Sequence, residues 1–451
     1  MISELPKIGH LMKNIYTKTR FYIALAFVCL LFLVAHFLPF LLLATKVLFF
    51  IFVMLLIVDA VLLFRDKRGI GVVRVLPEKL SNGDENPINI WVKNNYVFPV
   101  SVEIIDEIPI QFQVRDISYS EKIKSKEEKN IQYTLRPTER GEYKFGFIYV
   151  YASTVIGFFA KRYYFQNEKE LACYPSFLQM RKYELIAIHD RNSEFGIKKM
   201  RRIGYSKEFE QIKQYVSGDD YRNVNWKASA RRNHLMVNQF QDERSQNVYS
   251  VIDKGRVMKM PFNGLTLLDY AINTALAISN IALKKDDKVG LLTFSKKIDF
   301  VLKARKSGSQ IRLIQEALYN QETDFKETDF QKLYSIFKTR LSQRSLIMLY
   351  TNFESISGLN RQLPYLRKLA RQHVLVVVFF KNTELDKFSA AKAKTVDQVY
   401  DKVIAEKLIF DKKVVVKEMK KYGIQSILTE PENLTINTIN KYLELKARGV
   451  L

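Results

Sequence analysis

The sequence has only two cysteines in 451 residues, Cys29 inside an apolar run and Cys173 far from it. Two thiols exclude a disulfide-stapled scaffold and a four-thiolate zinc site. Glycine and proline are scarce too, at 17 and 11 residues, which excludes a fibrous or linker-rich chain. Because 47% of the residues are hydrophobic and 13% aromatic, most of the chain is expected to fold.

The sequence motifs of several enzyme classes are missing as well. No glycine-rich loop ends in Gly-Lys-Ser or Gly-Lys-Thr, so the chain carries no phosphate loop for a nucleotide. The five histidines are scattered with no pair four residues apart, which excludes the helix motif of zinc proteases. The sequence therefore predicts a protein without enzymatic activity of its own.

Positive charge is in excess, with 71 Lys and Arg against 47 Asp and Glu and a formal net charge of +24. Such a balance suits an anionic partner, either a phospholipid surface or a nucleic acid. Nucleic-acid binding predicts basic residues interleaved with aromatics on one face, whereas here they are spread along the chain. Lipid is therefore the favoured partner, and nucleic-acid binding remains an alternative.

Residues 21–64 form a long apolar run in which only Lys46 and Asp59 carry a formal charge. At 1.5 Å per residue a helix of this length spans about twice the ~30 Å hydrocarbon layer, so it predicts a hairpin of two transmembrane helices, about 21–38 and 45–64, turning near Pro39. Lysines and arginines flank both ends and place residues 1–20 and the body after the hairpin in the cytoplasm. Lys46 and Asp59 are expected to snorkel from the helix ends.

Two further regions differ in pattern. Residues 70–175 show short alternating apolar runs separated by turn residues, which predicts an antiparallel β-sandwich-like module. Residues 247–451 alternate buried β-type runs with amphipathic helical segments, which predicts an α/β domain with a doubly wound, Rossmann-type parallel sheet. Ligands of such sheets bind where the strands end, which directs attention to Asp253, Ser295, Thr351, Asn352 and Glu354.

The connecting segment, residues 176–246, holds the densest polar cluster of the chain. Its spacing is Gly-Asp-Asp-x-x-Arg-x-x-x-Trp-x-x-Ser-x-Arg, carried by Gly218, Asp219, Asp220, Arg222, Trp226, Ser229 and Arg231. This spacing resembles the signature of bacterial membrane proteins with a domain of unknown function 58, which combine it with a von Willebrand A-like domain. The resemblance extends over most of the chain and includes the apolar hairpin.

The resemblance implies a multi-pass protein of the bacterial inner membrane whose soluble body lies in the cytoplasm. It also implies a MoxR-type AAA+ ATPase as partner, together with other von Willebrand A-like membrane proteins, in a chaperone-like or cell-envelope assembly role. ATP chemistry would then belong to the partner, which agrees with the missing phosphate loop. We therefore expect a non-enzymatic protein-interaction protein.

The polar cluster allows three roles. Asp219 and Asp220 could pair with Arg222, Arg231 and Arg232 through charge-assisted bonds, with Trp226 as an apolar anchor, and so clamp the segment onto the α/β domain. The same residues could instead contact a partner directly. A metal-dependent hydrolase using Asp219, Asp220 and Asp253 is the catalytic alternative, although consecutive carboxylates usually point apart and no histidine accompanies them.

The resemblance also raises the question of a metal site. Von Willebrand A domains that bind Mg²⁺ carry Asp-x-Ser-x-Ser after the first strand, a loop threonine and a later acid. Here Gly255 and Val257 occupy the two serine positions, which leaves a degenerate set of Asp253, Asn352 and a threonine, Thr328 or Thr323. No cofactor is therefore predicted, with Mg²⁺ as the alternative. The strand edge is expected either to be a metal-free contact surface or to have Lys254 or Arg256 paired with Asp253.

Overall fold

The structure is a computed structural model that describes residues 14–66, 68–114, 117–188, 208–217, 219–241, 245–390 and 395–450. It divides into two compact units, Met1–Cys173 and Tyr174–Leu451. Gly218 of the polar cluster lies outside the described residues. Helices and strands occur in both units, as expected for a chain of mixed α and β structure.

The first unit begins with strand β1 (Ile15–Thr17), followed by helices α1 (Thr19–Phe37) and α2 (Leu42–Arg65). The two predicted apolar helices are confirmed, and both are long and apolar enough to cross a membrane. Helix α2 begins earlier than predicted because a 3-10 turn, Pro39–Leu41, leads directly into it. Thr45 does not break the helix, since its Oγ1 donates to the carbonyl oxygen of Leu41 at 3.0 Å.

The β-rich part of the first unit is built from ten further strands around one core. They are β2 (Ile70–Val75), β3 (Leu80–Ser81), β4 (Asn86–Asn94), β5 (Val100–Asp106), β6 (Ser118–Ile123), β7 (Glu128–Leu135), β8 (Gly141–Phe145), β9 (Ile148–Ser153), β10 (Phe159–Phe165) and β11 (Lys169–Tyr174). In the described residues they form sheets of order β1-β10-β9-β5-β6, β2-β4-β7 and β3-β11-β8. Alternate side chains, such as Ile88, Ile90 and Val92 of β4, enter the shared core, which explains the alternating sequence pattern.

Asp59 joins helix α2 to the β-rich part of the same unit. Its carboxylate accepts hydrogen bonds from the hydroxyl of Thr154 and from the backbone N–H groups of Phe158 and Phe159, both at 3.0 Å. The side chain is fully buried, so the expectation that it snorkels to the membrane surface is wrong. Three donors satisfy the carboxylate, which explains how an acid can be buried in this apolar helix.

The second unit begins with helix α3 (Phe177–Ile188) and a two-stranded antiparallel ribbon, β12 (Glu208–Gln214) and β13 (Met236–Gln241). Between the two strands lies helix α4 (Trp226–Arg232), preceded by a 3-10 turn, Tyr221–Asn223. The polar cluster therefore sits at the end of a β-ribbon. We call the described residues between the strands, 215–217 and 219–235, the hairpin tip.

The rest of the second unit is a layered α/β structure. Its elements are β14 (Asn247–Asp253), β15 (Pro261–Phe262), β16 (Leu265–Thr266), α5 (Leu267–Lys284), β17 (Lys288–Phe294), β18 (Ile298–Arg305), α6 (Gln310–Tyr319), α7 (Phe330–Thr339), β19 (Leu346–Tyr350), α8 (Ile356–Gln372), β20 (Val374–Phe380), α9 (Thr383–Ala390), α10 (Val396–Lys421), β21 (Gln425–Thr429) and α11 (Leu434–Ala447). The central sheet has the order β18-β17-β14-β19-β20-β21 in the described chain.

The sheet is mixed, and this corrects the prediction of a parallel sheet. In the order of the sheet, the five strands β17, β14, β19, β20 and β21 run parallel to one another. The edge strand β18 pairs antiparallel with β17. Helices α5, α6 and α11 contribute to the core on one face, and α7, α8 and α10 to the core on the other. Burial on both faces explains the continuous apolar runs of β14, β19 and β20.

Candidate functional site: the strand edge and the hairpin tip

The last residue of β14, Asp253, is the centre of a buried hydrogen-bond network at the carboxyl edge of the sheet. Its Oδ1 accepts from the Thr328 hydroxyl at 2.6 Å and from the Gly255 backbone N–H at 2.8 Å. Its Oδ2 accepts from the Thr351 hydroxyl, which follows β19, at 2.7 Å. Burial raises the pKa of the Asp253 carboxyl, and the three donors act against that rise.

Gly255 leaves room for Thr328 in this network. A Cβ atom at position 255 would lie 2.2 Å from the Thr328 Oγ1 and 3.1 Å from the Asp253 Oδ1. A serine at this position, as in metal-binding von Willebrand A domains, therefore cannot be accommodated without moving Thr328. The threonine hydroxyl occupies the space that the serine side chain would need.

Asn352 makes its contact elsewhere at the same edge. Its Oδ1 accepts from the Lys412 Nζ of helix α10 at 3.1 Å, and the same ammonium donates to the carbonyl oxygen of Phe380. Desolvation lowers the pKa of Lys412 to about 8, and the charge of Glu354 acts in the opposite direction. Lys412 had no counterpart in the sequence predictions, because it lies on a helix and not directly after a strand.

The residues at this edge do not fit a Mg²⁺ ion. Mg²⁺ requires several oxygen ligands in near-octahedral geometry. The Thr328 hydroxyl donates to Asp253, and the Asn352 oxygen faces a lysine ammonium, whose positive charge would repel a cation. The network therefore satisfies these polar groups within the protein itself.

The two cations beside Asp253 pair with other acids, so the predicted pairing of Lys254 or Arg256 with Asp253 is wrong. The Lys254 Nζ lies 2.9 Å from a carboxylate oxygen of Asp299, and Arg256 lies 3.8 Å from that of Glu327. Ser295, another strand-end residue, donates to Asp324 at 2.6 Å. The partners of the Asp253 carboxylate are therefore two hydroxyls and one backbone N–H, and not a lysine or arginine side chain.

A cavity of about 210 Å³ opens above this network. Its lining includes Asp253, Thr328, Thr351 and Asn352, together with the exposed arginines Arg256 and Arg361. Both arginines lie just under 4 Å from Glu327, at 3.8 and 3.9 Å. The polar groups at the bottom of the cavity are therefore hydrogen-bonded to one another. Its rim carries long, exposed side chains of both charges.

Lys412 gives the α/β unit a testable pH dependence. Its pKa is about 8 in the fold and about 10.5 in an unfolded chain, so between these values the unfolded state holds more protons. The contribution of Lys412 to stability should therefore rise with pH through this window, by at most about 1.4 kcal/mol per pH unit, and be lost as the pH falls back towards 8. Unfolding of Lys412→Met should lack this rise, whereas the exposed-site control Lys417→Met should keep it; equal slopes in all three proteins would contradict the assignment.

At the hairpin tip, the two adjacent aspartates act locally. Asp219 accepts from the Lys213 Nζ at 2.8 Å and from the Val216 backbone N–H at 3.0 Å, and these contacts lower its pKa. Asp220 caps the 3-10 turn by accepting from the Arg222 backbone N–H at 3.0 Å. Neither aspartate pairs with an arginine side chain within the part of the chain that the structure describes, which differs from the predicted carboxylate–arginine lock.

Asn225 and Ser229 hold helix α4 against strand β13. The Asn225 Oδ1 caps the helix by accepting from the Ala228 N–H at 2.9 Å. The Ser229 hydroxyl donates to the Asn225 carbonyl oxygen and accepts from the Met236 N–H, each at 2.8 Å. Because Asn225 serves as a helix cap, an acid at that position could make the same bond.

The large side chains of the hairpin tip point away from the protein. Trp226 and Tyr221 are each 72% exposed, so Trp226 does not anchor the segment onto the α/β unit as the predicted clamp requires. Val216 and Leu235 are exposed beside them, and the Arg222 guanidinium lies 5.9 Å from the centre of the Tyr221 ring. Arg231 and Arg232 are exposed as well and make no ion pair with any residue that the structure describes.

Fold and site together define a chain with an apolar helical hairpin, a β-rich module and an α/β unit that carries an exposed hairpin tip. Residues 211–393 match the family described as "Protein of unknown function DUF58". The uncharacterized protein YeaD of Bacillus subtilis (strain 168) is 27% identical over 184 residues, a match that covers 39% of this chain and 45% of YeaD. The chain thus spans less than half of this relative, and both matches support the DUF58 family.

Two solved structures show a distant likeness to this chain. The CARDB domain of the PF1109 protein from Pyrococcus furiosus is 16% identical, with a TM-score of 0.18 over 23% of this chain and 86% of that domain. Proximal thread matrix protein 1 from the mussel byssus is 10% identical, with a TM-score of 0.28 over 45% of this chain and 48% of that protein. With scores below 0.5, neither likeness bears on the fold or the function.

Proposed function

We propose that this chain is a membrane-anchored, non-enzymatic protein-interaction protein of the bacterial inner membrane. Its proposed partner is a MoxR-type AAA+ ATPase, in a chaperone-like or cell-envelope assembly role. The proposal includes a von Willebrand A-like identity for the α/β unit, no cofactor, and further von Willebrand A-like membrane proteins as partners. The partner, not this chain, would hydrolyse ATP.

The apolar hairpin supports the membrane anchor. Its two apolar segments contain 19 and 27 residues and match the thickness of a bilayer. Most of their large apolar side chains are exposed, as lipid-facing side chains would be. Lys18 and Arg20, at the start of α1, and Arg65 and Arg68, at and just after the end of α2, favour a cytoplasmic location for both ends.

The internal contacts of the candidate catalytic acids support a non-enzymatic role. Asp253 is fully engaged by three internal donors, and Asp219 and Asp220 are engaged by a lysine and by backbone N–H groups. Among the residues that the structure describes, no three His, Cys, Asp or Glu side chains come together in a way that could hold a metal ion. No observation favours the metal-dependent hydrolase or the nucleic-acid binder over the interaction protein.

The exposed hairpin tip is the observation that carries the proposal. Interfaces draw most of their binding energy from a few aromatic and arginine side chains, and the tip presents Tyr221 and Trp226 with Arg222 and Arg231. Because both aromatic side chains are mostly exposed, they contribute little buried area to the tip itself. Surrounding positive charge suits an acidic surface on the partner and would accelerate association.

Pull-down of the full-length chain in detergent with its candidate ATPase, without nucleotide and with ADP or ATP, tests the proposal. We expect association in at least one nucleotide state and its loss for Arg222→Ala. Asp219→Ala, which removes a local turn contact and no exposed binding group, serves as the matched control and should retain most of the binding. Absence of association in every nucleotide state would contradict the proposal.

A further inference from the structure

A second cavity, of about 820 Å³, lies in the first unit beside the first turn of helix α1. Its volume falls in the range of small-molecule binding sites, about 300–1,000 Å³. Residues from β1, α1, β5, β6 and β9 line it, so elements distant in sequence build one polar depression. The proposed contact with the ATPase, through the hairpin tip, does not involve this cavity.

The lining is cationic. Lys18, Arg20 and Lys122 contribute three positive charges, against one negative charge from Glu103. The side chains of Lys18 and Lys122 make no hydrogen bond or ion pair with the residues that the structure describes. Arg20 is held in place because its guanidinium donates to the carbonyl oxygens of Val155 and Ile156, at 3.2 and 3.4 Å. Two ammonium groups are therefore available to a ligand beside a fixed guanidinium.

The sheet places hydroxyl groups among these cations. Lys122 of β6 lies directly opposite Ser101 of β5, and Ser101 lies opposite Ser153 of β9. Both serines line the cavity, as do Thr17 and Thr19. The Ser153 hydroxyl donates to the Ser101 carbonyl oxygen at 3.2 Å and the Thr17 hydroxyl is hydrogen-bonded to that of Tyr22 at 2.7 Å, so within the described residues the hydroxyls of Ser101 and Thr19 are the ones left for a ligand. Hydroxyl donors next to lysine and arginine are the groups that bind phosphate oxygens.

The position of the cavity identifies the source of the phosphate. Thr19 and Arg20, which line it, are the first two residues of the apolar helix α1. A helix that enters the hydrocarbon layer at this point holds its first residues at the level of the lipid headgroups. The cavity therefore faces the depth at which phosphodiester groups of the cytoplasmic leaflet lie.

We propose that this cavity binds the headgroup of an anionic phospholipid of the cytoplasmic leaflet, through Lys18, Arg20 and Lys122 and the neighbouring hydroxyls. This inference rests on the membrane anchor in the proposed function and is independent of the ATPase. The bound lipid would fix the β-rich module against the membrane surface at the point where α1 begins.

The test uses the full-length chain in vesicles of phosphatidylcholine alone or mixed with phosphatidylglycerol, followed by native mass spectrometry of the lipids that stay bound. Wild-type protein should retain phosphatidylglycerol in preference to phosphatidylcholine. Lys18→Gln/Lys122→Gln should lower that preference by about 25-fold, since each lysine near an anionic surface contributes roughly a factor of five. Lys18→Arg/Lys122→Arg should preserve it.

A matched variant separates this site from general surface charge. Lys93→Gln/Lys144→Gln removes two exposed lysines of the same module outside the cavity and should leave the preference unchanged. An equal loss in both double variants, or an unchanged preference in Lys18→Gln/Lys122→Gln, would overturn the proposal. Inorganic phosphate that displaces the retained lipid completely would assign the cavity to free phosphate and also overturn it.

Carbonate extraction of membranes distinguishes failure of this site from failure of the anchor. If wild-type and Lys18→Gln/Lys122→Gln both resist extraction while neither prefers phosphatidylglycerol, the lipid site is refuted and the anchor stands. If wild-type protein is extracted by carbonate, the anchor itself is refuted and the headgroup site with it.

Discussion

Replacing Asp253 with alanine is expected to lower the free energy of unfolding of the α/β unit by about 3–5 kcal/mol. The substitution leaves the buried hydroxyls of Thr328 and Thr351 and the Gly255 N–H without their acceptor, and each unsatisfied buried donor costs about 1–3 kcal/mol. Denaturant titration of the full-length protein in detergent measures the free energy of unfolding. Asp299→Ala, which removes a partly exposed ion pair with Lys254, should cost less than about 1 kcal/mol.

The same experiment separates an internal network from a metal site. If Asp253 acts only as the acceptor of three internal hydrogen bonds, chelation with EDTA should leave the stability of wild-type protein unchanged. If Asp253 held Mg²⁺, EDTA should destabilise wild-type protein towards the level of Asp253→Ala, and added Mg²⁺ should restore it. That result would contradict the network described at the strand edge.

The second large effect is expected at the hairpin tip. Trp226→Ala should weaken binding to the proposed ATPase by about 2 kcal/mol or more, roughly 30-fold in Kd, because aromatic side chains at interfaces contribute most of the binding energy. Tyr221→Ala should have a similar effect. Since both side chains are 72% exposed, neither change should lower the midpoint of unfolding measurably.

Leu313→Ala is the matched control for Trp226→Ala. Leu313 is an apolar side chain of helix α6 in the same unit, 49% exposed and outside the hairpin tip. Its removal should leave the affinity unchanged. Equal affinities of wild-type protein and Trp226→Ala in titrations on immobilised membranes would show that the tip does not carry the contact.

The strands of the α/β unit could be predicted closely because burial on both faces leaves a plain sequence pattern. Leu346–Tyr350 and Val374–Phe380 are uninterrupted apolar runs, and both form strands of the central sheet. Strand β18 has no such pattern, since its Ile-Asp-Phe-Val-Leu-Lys-Ala-Arg sequence has the mixed polarity of an edge strand. Helix α10 is also hard to recognise in the sequence, because charged residues interrupt its apolar positions.

The candidate site was only partly predictable for a different reason. Asp253 and Thr351 follow strands directly, so the sheet brings their side chains together once the strand order is known. Lys412 reaches the same edge from a helix that the sequence pattern did not indicate. Trp226 is exposed because helix α4 lies at the end of the β-ribbon. The spacing of the residues in the sequence motif does not indicate on which side of that helix the protein lies.

Photocrosslinking from position 226 in native membranes tests docking at the hairpin tip most directly. A photoreactive amino acid replaces Trp226 in the full-length chain, and a second variant carries it at position 313 as the exposed control. We predict a crosslink from position 226 to the MoxR-type ATPase in at least one nucleotide state and none from position 313. Crosslinks from 313 but not from 226, or from neither while the ATPase still co-purifies with the chain, would contradict docking through the tip.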